Sequence, residues 1–264
     1  MIDLYRASRA AEQAAYAVGT HLQASRSRLS ATMFTHEEPS DVVHAIDHEA
    51  QLLIREVVLR QFPQHDFVGR TAAESAALPM RDRPTWIVDP LNGLTNYQRG
   101  YPQYAVSIAL VQSAEPLVGV IYDPCRNEFF GAIRDQGAVL NGQSIRCARP
   151  RAAIDSLAST VFPKPGSPRM PVYVAEFGRV VRGFHGVRRS GSTALELAYL
   201  SASRIDAFWA HDVGAWEYAA GLLLLRESGA LIHARDGRPV LGSESLLACT
   251  PRLFEPFLSL LAEE

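Results

Sequence analysis

A series of short apolar segments between residues 104 and 140 constrains the fold of this 264-residue chain more than any other feature. Only brief connections separate the segments, among them the turns Asp135-Gln136-Gly137 and Asn141-Gly142. Strands joined this closely pair with their neighbours in opposite directions. The sequence therefore predicts a mainly antiparallel sheet, with strands at 104–112, 116–122, 128–133 and 138–140.

The pattern changes after residues 164–168, whose sequence Lys-Pro-Gly-Ser-Pro predicts a linker or an exposed loop. Strands and helices then alternate, which indicates an α/β layer. We therefore expect an N-terminal α+β half over residues 1–150 and a C-terminal α/β half over residues 151–264. The predicted strands of the second half are 172–175, 207–209 and 230–233, and its predicted helices are 193–201 and 216–227.

Two helices are predicted before the antiparallel sheet. Residues 2–27 carry apolar side chains at helical spacing, and residues 42–61 do so directly after Ser40-Asp41. A short strand at 67–69 follows, and residues 71–84 are predicted to form a loop or a short helix.

Composition excludes several classes of function. The chain is 47% hydrophobic and 20% charged with a net charge of −2, and it has no concentrated basic stretch, so we expect no nucleic-acid partner. The apolar stretch around residues 222–225 is too short to cross a bilayer, and residues 1–27 do not resemble a signal peptide. Three cysteines without metal-ligand spacing suit a reducing cytoplasm, so we expect a cytoplasmic protein.

Most of the functional information lies in residues 86–97, which read Trp-Ile-Val-Asp-Pro-Leu-Asn-Gly-Leu-Thr-Asn-Tyr. An apolar strand runs into Asp89, and a turn at Asn92-Gly93 follows. A carboxylate at the end of a buried strand, beside exposed backbone carbonyls and amides, can hold a hard cation next to a phosphate. An ordinary strand-to-loop turn is the alternative, because Asn-Gly is a turn signal in any context.

This segment resembles the metal-binding signature of the inositol monophosphatase-like phosphatases, W-I-[IV]-D-P-[IL]-D-G-T-[TS]-N-[FY]. Three further stretches resemble the family in the same order, at residues 119–147, 189–194 and 216–230, so that the resemblance covers roughly residues 5–255. It implies a layered α/β/α/β/α sandwich. It also implies a magnesium-dependent phosphomonoesterase that acts on a sugar or polyol phosphate and forms a homodimer.

The resemblance implies a metal site made of Asp89, the Leu91 carbonyl, Asn92 and Glu217, with two departures from the family pattern. Asn92 stands where the family has an aspartate, which removes about a kcal/mol or more of attraction for a cation. Glu217 stands where the family has another aspartate, and its extra methylene shifts the carboxylate against a metal with strict octahedral demands. We therefore expect weak Mg²⁺ binding, with at most one ion.

The catalytic positions depart further from the pattern. Asp47 matches an aspartate that the family uses behind the site, but the metal-binding glutamate falls at Arg70, a reversal of charge. Glu74 could replace that glutamate if the loop around it is remodelled. The water-positioning threonine falls at Leu94, which leaves the Thr95 hydroxyl nearby. We assign Asp47, Glu74 and Thr95 as the catalytic candidates.

The residues at the anion-binding positions match the family pattern better than those at the metal-binding and catalytic positions. An arginine at position 70 can hold phosphate through two parallel hydrogen bonds, and the turn after Asn92 can offer backbone amides. The family's inositol-contacting glutamate corresponds to Ala210, so free inositol monophosphate is not the favoured ligand. Ser192 and Thr193 have a simple helix-capping alternative. The substrate-binding candidates are Arg70, Gly93, Leu94, Asn96, Gly191, Ser192, Thr193 and Asp212.

Two hypotheses follow for the function. The first is a phosphomonoesterase of weak or altered activity. The second is a catalytically impaired family member that binds a phosphorylated ligand or a protein partner.

Overall fold

Two β-sheets and three layers of helices form the structure, which is a computed structural model that describes residues 2–31, 38–70, 82–150 and 152–262. Helices pack outside each sheet and also between the two sheets, in the order α/β/α/β/α. The layered sandwich implied by the family resemblance is therefore confirmed. Among the described residues, no helix is long and apolar enough to cross a membrane.

The first sheet contains seven strands in chain order, from β1 to β7. Strands β1 and β2 are parallel, and every later neighbour is antiparallel, as the short connections predict. The strands are β1 (Asp66–Val68), β2 (Thr85–Asn92), β3 (Ala105–Gln112), β4 (Glu115–Asp123), β5 (Glu128–Ile133), β6 (Ala138–Leu140) and β7 (Gln143–Ile145).

Two long helices, α1 (Leu4–Ala24) and α3 (Pro39–Gln61), cover the outer face of this sheet. A short helix, α2 (Arg26–Ala31), directly follows α1 in the chain. The Asp3 side chain accepts a hydrogen bond from the Arg6 amide at 2.9 Å and so caps the start of α1. Alanines line the buried face of α1, and their small side chains let it lie close to β4.

Two helices fill the space between the sheets, α6 (Thr193–Ser201) and α7 (Ala215–Ser228). Helix α7 is buried on nearly all sides and approaches β4 very closely. A Cβ atom added at Gly119 would lie only 2.7 Å from the Ala220 carbonyl oxygen. A larger residue at Gly119 would therefore push α7 away from the first sheet.

The second sheet has the strand order β11-β12-β10-β8-β9 and mixes parallel and antiparallel pairs. Helices α5 (Met170–Gly183) and α8 (Phe254–Leu261) cover its outer face. The strands are β8 (Leu157–Thr160), β9 (Gly186–Arg188), β10 (Ala207–His211), β11 (Leu231–Ala234) and β12 (Ser245–Cys249).

One further helix, α4 (Leu94–Arg99), is short and directly follows β2 of the first sheet.

The predicted strand at residues 172–175 is wrong, because these residues belong to α5. The run Val172-Tyr173-Val174-Ala175 has the β-branched and aromatic composition of a strand. Tyr173, Glu176 and Val180 nevertheless share the buried face of a helix, and Pro171 stands in its first turn, where proline is well tolerated. A short apolar run does not distinguish a strand from a helix by itself.

Glu176 ties this outer helix to the second sheet through a buried ionic network. Its carboxylate lies 2.7 Å from Arg235 Nη1 and 2.9 Å from His211 Nε2, and the other ring nitrogen of His211 lies 2.8 Å from Ser245 Oγ. Burial opposes ionisation of Glu176, but the hydrogen bond from His211 and the charge of Arg235 outweigh it and lower the pKa of the carboxyl.

We predict that Glu176→Gln lowers the free energy of unfolding by about 3–5 kcal/mol at neutral pH, because it removes the fully buried carboxylate that pairs with the partly buried Arg235. Glu56→Gln is the matched control: Glu56 also pairs with an arginine on a helix, but it is 62% exposed, so its loss should cost under about 1 kcal/mol. A lowered folded pKa means that the Glu176 contribution is lost as pH falls through that pKa. Urea denaturation should therefore show the difference shrinking in acid, and equal costs for the two variants would contradict the prediction.

Candidate functional site

The end of β2 positions the first group of site residues. Its pairing with β3 is regular up to Asp89 and shifts between Asp89 and Asn92, which turns the two side chains toward one another. Gly93 follows with φ +103°, and a Cβ atom there would lie 2.9 Å from the Gln103 carbonyl oxygen. Both the left-handed backbone and the close approach require glycine.

Arg70 occupies the centre of the site. Its Nη2 atom donates to Asp47 Oδ1 at 2.9 Å, to Asp89 Oδ1 at 3.1 Å and to the Leu91 carbonyl oxygen at 3.1 Å. Three oxygens from two elements, the helix α3 and the strand β2, thus converge on one nitrogen. The family resemblance implies that two of these oxygens, on Asp89 and Leu91, bind metal, so a guanidinium of the protein takes the place of the cation.

Asn92 supplies a second nitrogen donor to Asp89, beside the Arg70 guanidinium that takes the place of a cation. Its Nδ2 donates to Asp89 Oδ2 at 2.8 Å, while its Oδ1 accepts from Ser192 Oγ at 2.7 Å and from the Ala194 amide at 3.0 Å. An aspartate at this position would face Asp89 with a second carboxylate and no proton between them. The amide therefore removes a repulsion that a metal ion would otherwise have to screen.

Glu217 lies in the first turn of α7 and caps its own helix. Its Oε2 accepts from the Gly214 amide at 2.7 Å, and its Oε1 accepts from Thr193 Oγ1 at 3.3 Å. Burial, with a further contribution from the charge of Asp89, raises the pKa of Glu217 to about 7. Burial likewise raises the pKa of Asp47 to about 6, although Arg70 opposes the shift.

These residues do not fit a magnesium ion. Both Asp89 oxygens, the Leu91 carbonyl and both Glu217 oxygens already accept hydrogen bonds from the protein. Mg²⁺ requires six oxygens in near-octahedral geometry, whereas two of the groups nearest to Asp89 are nitrogen donors. Within the described ranges, no three acidic, histidine or cysteine side chains form a group able to hold a metal.

Arg70 and the residues bonded to it lie at one side of a cleft of about 330 Å³. Two further cations reach this cleft, Lys164 from the loop after β8 and Arg189 from the segment before α6. The Arg189 guanidinium stacks 4.4 Å from the centre of the Phe162 ring, which fixes its direction. The Trp216 ring contributes an apolar wall. The cleft therefore combines three basic side chains with one aromatic surface.

Asn96 joins the segment before β3 to the segment before α6 at the edge of this cleft. Its Nδ2 donates to the Gln103 carbonyl at 2.7 Å and to the Ser190 carbonyl at 2.8 Å. The side chain predicted to bind substrate thus also holds the loop that carries Arg189.

The structure brings together most of the residues that the sequence predicts for the site. Asp47, Ser192 and Thr193 stand behind the cleft wall, where they bond Arg70, Asn92 and Glu217. Asp212 lies instead in a neighbouring cavity of about 390 Å³, and Glu74 falls outside the described residues. The predicted residues that line the cleft are Arg70, Asp89, Leu91, Asn92, Gly93, Leu94, Thr95, Asn96, Gly191 and Glu217.

Sequence reasoning did not assign Lys164, Arg189 or Trp216 to the site, although all three line the cleft. Arg189 and Trp216 belong to stretches that resemble the family, so their positions offered a signal. Lys164 offered none, because a single lysine in a loop of proline and glycine has the pattern of an exposed linker.

Comparison with known proteins gives a consistent result over the whole chain. The model of the inositol monophosphatase family matches residues 3–263. The chain is 36% identical to the inositol-1-monophosphatase of Rhizobium meliloti over 225 residues, 85% of this chain and 84% of that protein. It is also 36% identical to the Nus factor SuhB of Pasteurella multocida over 227 residues, with the same coverage. The solved inositol monophosphatase of Anabaena (Nostoc) sp. PCC 7120 superposes with a TM-score of 0.86 at 31% identity, covering 98% of this chain and 96% of that one.

We predict that Glu217→Gln changes how stability depends on pH. The folded pKa of about 7 exceeds the ordinary 4.5, so the contribution of Glu217 to stability is complete below 4.5 and is lost as pH rises through 7. The glutamine variant lacks this loss. Relative to wild type, it should therefore gain on the order of 1–3 kcal/mol of unfolding free energy between pH 5 and pH 8. Urea denaturation at both pH values measures this gain, with Glu56→Gln as the exposed control; a gain of zero would contradict the prediction.

Proposed function

This chain belongs to the inositol monophosphatase family, and we propose that it binds a sugar or polyol phosphate in the cleft through its own basic side chains. We propose further that it hydrolyses this ester slowly at most. The observation that carries the proposal is the position of Arg70, bonded to Asp47, Asp89 and the Leu91 carbonyl. A cation supplied by the protein balances the buried carboxylates, and no magnesium is needed for that purpose.

The charge of the cleft supports an anionic ligand. Arg70 is committed to two carboxylates, but Lys164 and Arg189 have no ion pair with any described residue. Their donors are free to bond phosphate oxygens, and the planar fork of Arg189 suits two oxygens at once. Trp216 and the second cavity beside it can accommodate the rest of a sugar or polyol.

Slow hydrolysis follows from the groups that are absent among the described residues of the cleft. Attack on a phosphate ester requires charge stabilisation at the phosphoryl oxygens and a group that orients the water. Guanidinium groups can supply the first, without the Lewis acidity of a metal. Leu94 stands at the position of the water-orienting hydroxyl and cannot form a hydrogen bond. Thr95 is exposed at the cleft and remains the one hydroxyl candidate on this turn.

Binding of a protein partner is the second candidate. Relatives named Nus factor SuhB share the fold and about a third of the sequence, but no contact among the described residues identifies such a partner. A homodimer and a cytoplasmic location also stay predictions. Exposed apolar side chains at Ile154, Phe162 and Val174 support the first, and three free cysteines support the second.

We predict that Lys164→Gln and Arg189→Gln each weaken binding of a hexose or polyol monophosphate at least about tenfold, because each removes a charged hydrogen-bond donor. Isothermal titration calorimetry with a panel of such esters measures the effect. Arg182→Gln is the matched control, since Arg182 is an exposed arginine on α5 away from the cleft. Absence of binding by wild type, or equal affinity in all three variants, would overturn the proposal.

We predict that millimolar magnesium leaves the wild-type melting temperature unchanged, whereas the variant Arg70→Glu/Asn92→Asp/Leu94→Thr/Glu217→Asp gains magnesium binding. The four groups act as a unit, so the combination should raise magnesium-dependent phosphate release at least about tenfold while Leu94→Thr alone does little. Calorimetry with MgCl₂ and a phosphate-release assay test the two parts. Efficient hydrolysis by a wild type that binds two or three ions would contradict the proposal.

A further inference from the structure

A second cavity rich in arginine lies far from the cleft. It measures about 300 Å³ and is lined by Arg146, Arg149 and Arg252, with Cys147 and the Ser228-Gly229 end of α7 as its floor; we call it the arginine cavity. Helix α7 connects the two places, since Glu217 near its start faces the cleft and Ser228 ends it. Eleven residues of helix separate these positions by about 16 Å. The two cavities are therefore distinct.

The three guanidinium groups have no partner of their own among the residues that the structure describes. None of them forms an ion pair or a side-chain hydrogen bond with any residue that the structure describes, unlike Arg204, which meets Glu128 with two bonds of 2.6 Å. Three like charges around one cavity repel one another unless an anion lies between them. The three arginines are exposed, so water weakens this repulsion, and an anion in the cavity would relieve it further.

The end of α7 does not account for the arginines. Cations often gather at the end of a helix because the last carbonyl oxygens lack partners. Here the Leu225 carbonyl accepts from Ala230 N at 2.9 Å, the Arg226 carbonyl accepts from Gly229 N at 3.1 Å, and the Ser228 carbonyl accepts from Cys147 N at 3.0 Å. The donors of the three arginines are thus left for another acceptor.

A neighbouring acid does not account for them either. Burial is the largest cause that raises the pKa of the Cys147 thiol, and the nearby negative charge of Asp206 raises it further. The Asp206 Oδ2 atom accepts from the Leu157 amide at 2.8 Å, and no arginine nitrogen of the cavity lies within ion-pair distance of it.

We propose that the arginine cavity is a second binding site, separate from the cleft, for a small phosphate-bearing anion. Arginine forks match the oxygens of phosphate in geometry and charge. A volume of about 300 Å³ suits inorganic phosphate, diphosphate or a small phosphate monoester, and excludes a macromolecular ligand from the interior. The site does not depend on the function proposed for the cleft.

Calorimetry with inorganic phosphate, diphosphate and a hexose monophosphate tests the site. The double variant Arg146→Gln/Arg149→Gln should weaken one class of binding sites at least about tenfold, because two charged donors are lost. It should leave the cleft sites intact, and Arg182→Gln should change neither. All three arginines are exposed, so the variants should fold normally, which thermal unfolding followed by circular dichroism verifies. The preferred ligand among the three identifies whether free phosphate or an ester is bound.

Alkylation of the cysteines gives an independent readout. Cys147 lines the arginine cavity, whereas Cys125 is exposed elsewhere and serves as an internal control. The anion that binds in calorimetry should slow the reaction of Cys147 with iodoacetamide, measured by peptide mass spectrometry, and leave Cys125 unaffected.

The outcomes separate the two proposals. Loss of the only binding class in the double variant would support the arginine cavity and refute the cleft. Two classes that both survive in the double variant, or equal protection of the two cysteines, would overturn the arginine cavity while leaving the cleft proposal standing.

Discussion

The hydrogen bonds of the Arg70 guanidinium organise the whole cleft. Asp47 comes from α3, Asp89 and Leu91 come from β2, and Arg70 itself follows β1, so one side chain joins a helix to two strands. Asp89 is buried in the protein, and a buried carboxylate is stable only with a partner of opposite charge or a proton. The arginine meets that requirement without any ion from solution.

The unusual residues of the site form one consistent set. Arg70 bonds one oxygen of Asp89, and Asn92 bonds the other. Ser192 and the Ala194 amide then satisfy the remaining oxygen of Asn92, which links β2 to the start of α6. Three departures from the family pattern, Arg70, Asn92 and Glu217, therefore have hydrogen-bond partners in the site. These bonds satisfy both oxygens of Asp89 and both polar atoms of the Asn92 amide, although the buried Arg70 Nε has no hydrogen-bond partner among the described residues.

The fold was predictable from the sequence because independent sequence signals indicate the same architecture. The spacing of the antiparallel strands, the amphipathic helices and the family resemblance all predict the layered sandwich that the structure has. The strand prediction for residues 172–175 is wrong because their composition favours a strand while their burial pattern is helical. In the site, local sequence indicated the charge at Arg70 but not that one nitrogen would reach three oxygens from distant segments. Lys164 was missed because only the folded chain brings its loop to the cleft.

The close contact between Gly119 of β4 and Ala220 of α7 bears on how a ligand enters. With the two backbones this near, close packing against β4 holds α7 in position, and with it the wall that carries Trp216 and Glu217. Such a cleft is preorganised, so binding costs little backbone entropy. The ordering cost falls on the exposed side chain of Lys164 at its mouth, since the Arg189 guanidinium already stacks on Phe162. Selection among ligands therefore depends on fit to this wall, while Lys164 and Arg189 at the mouth of the cleft bind the charged group.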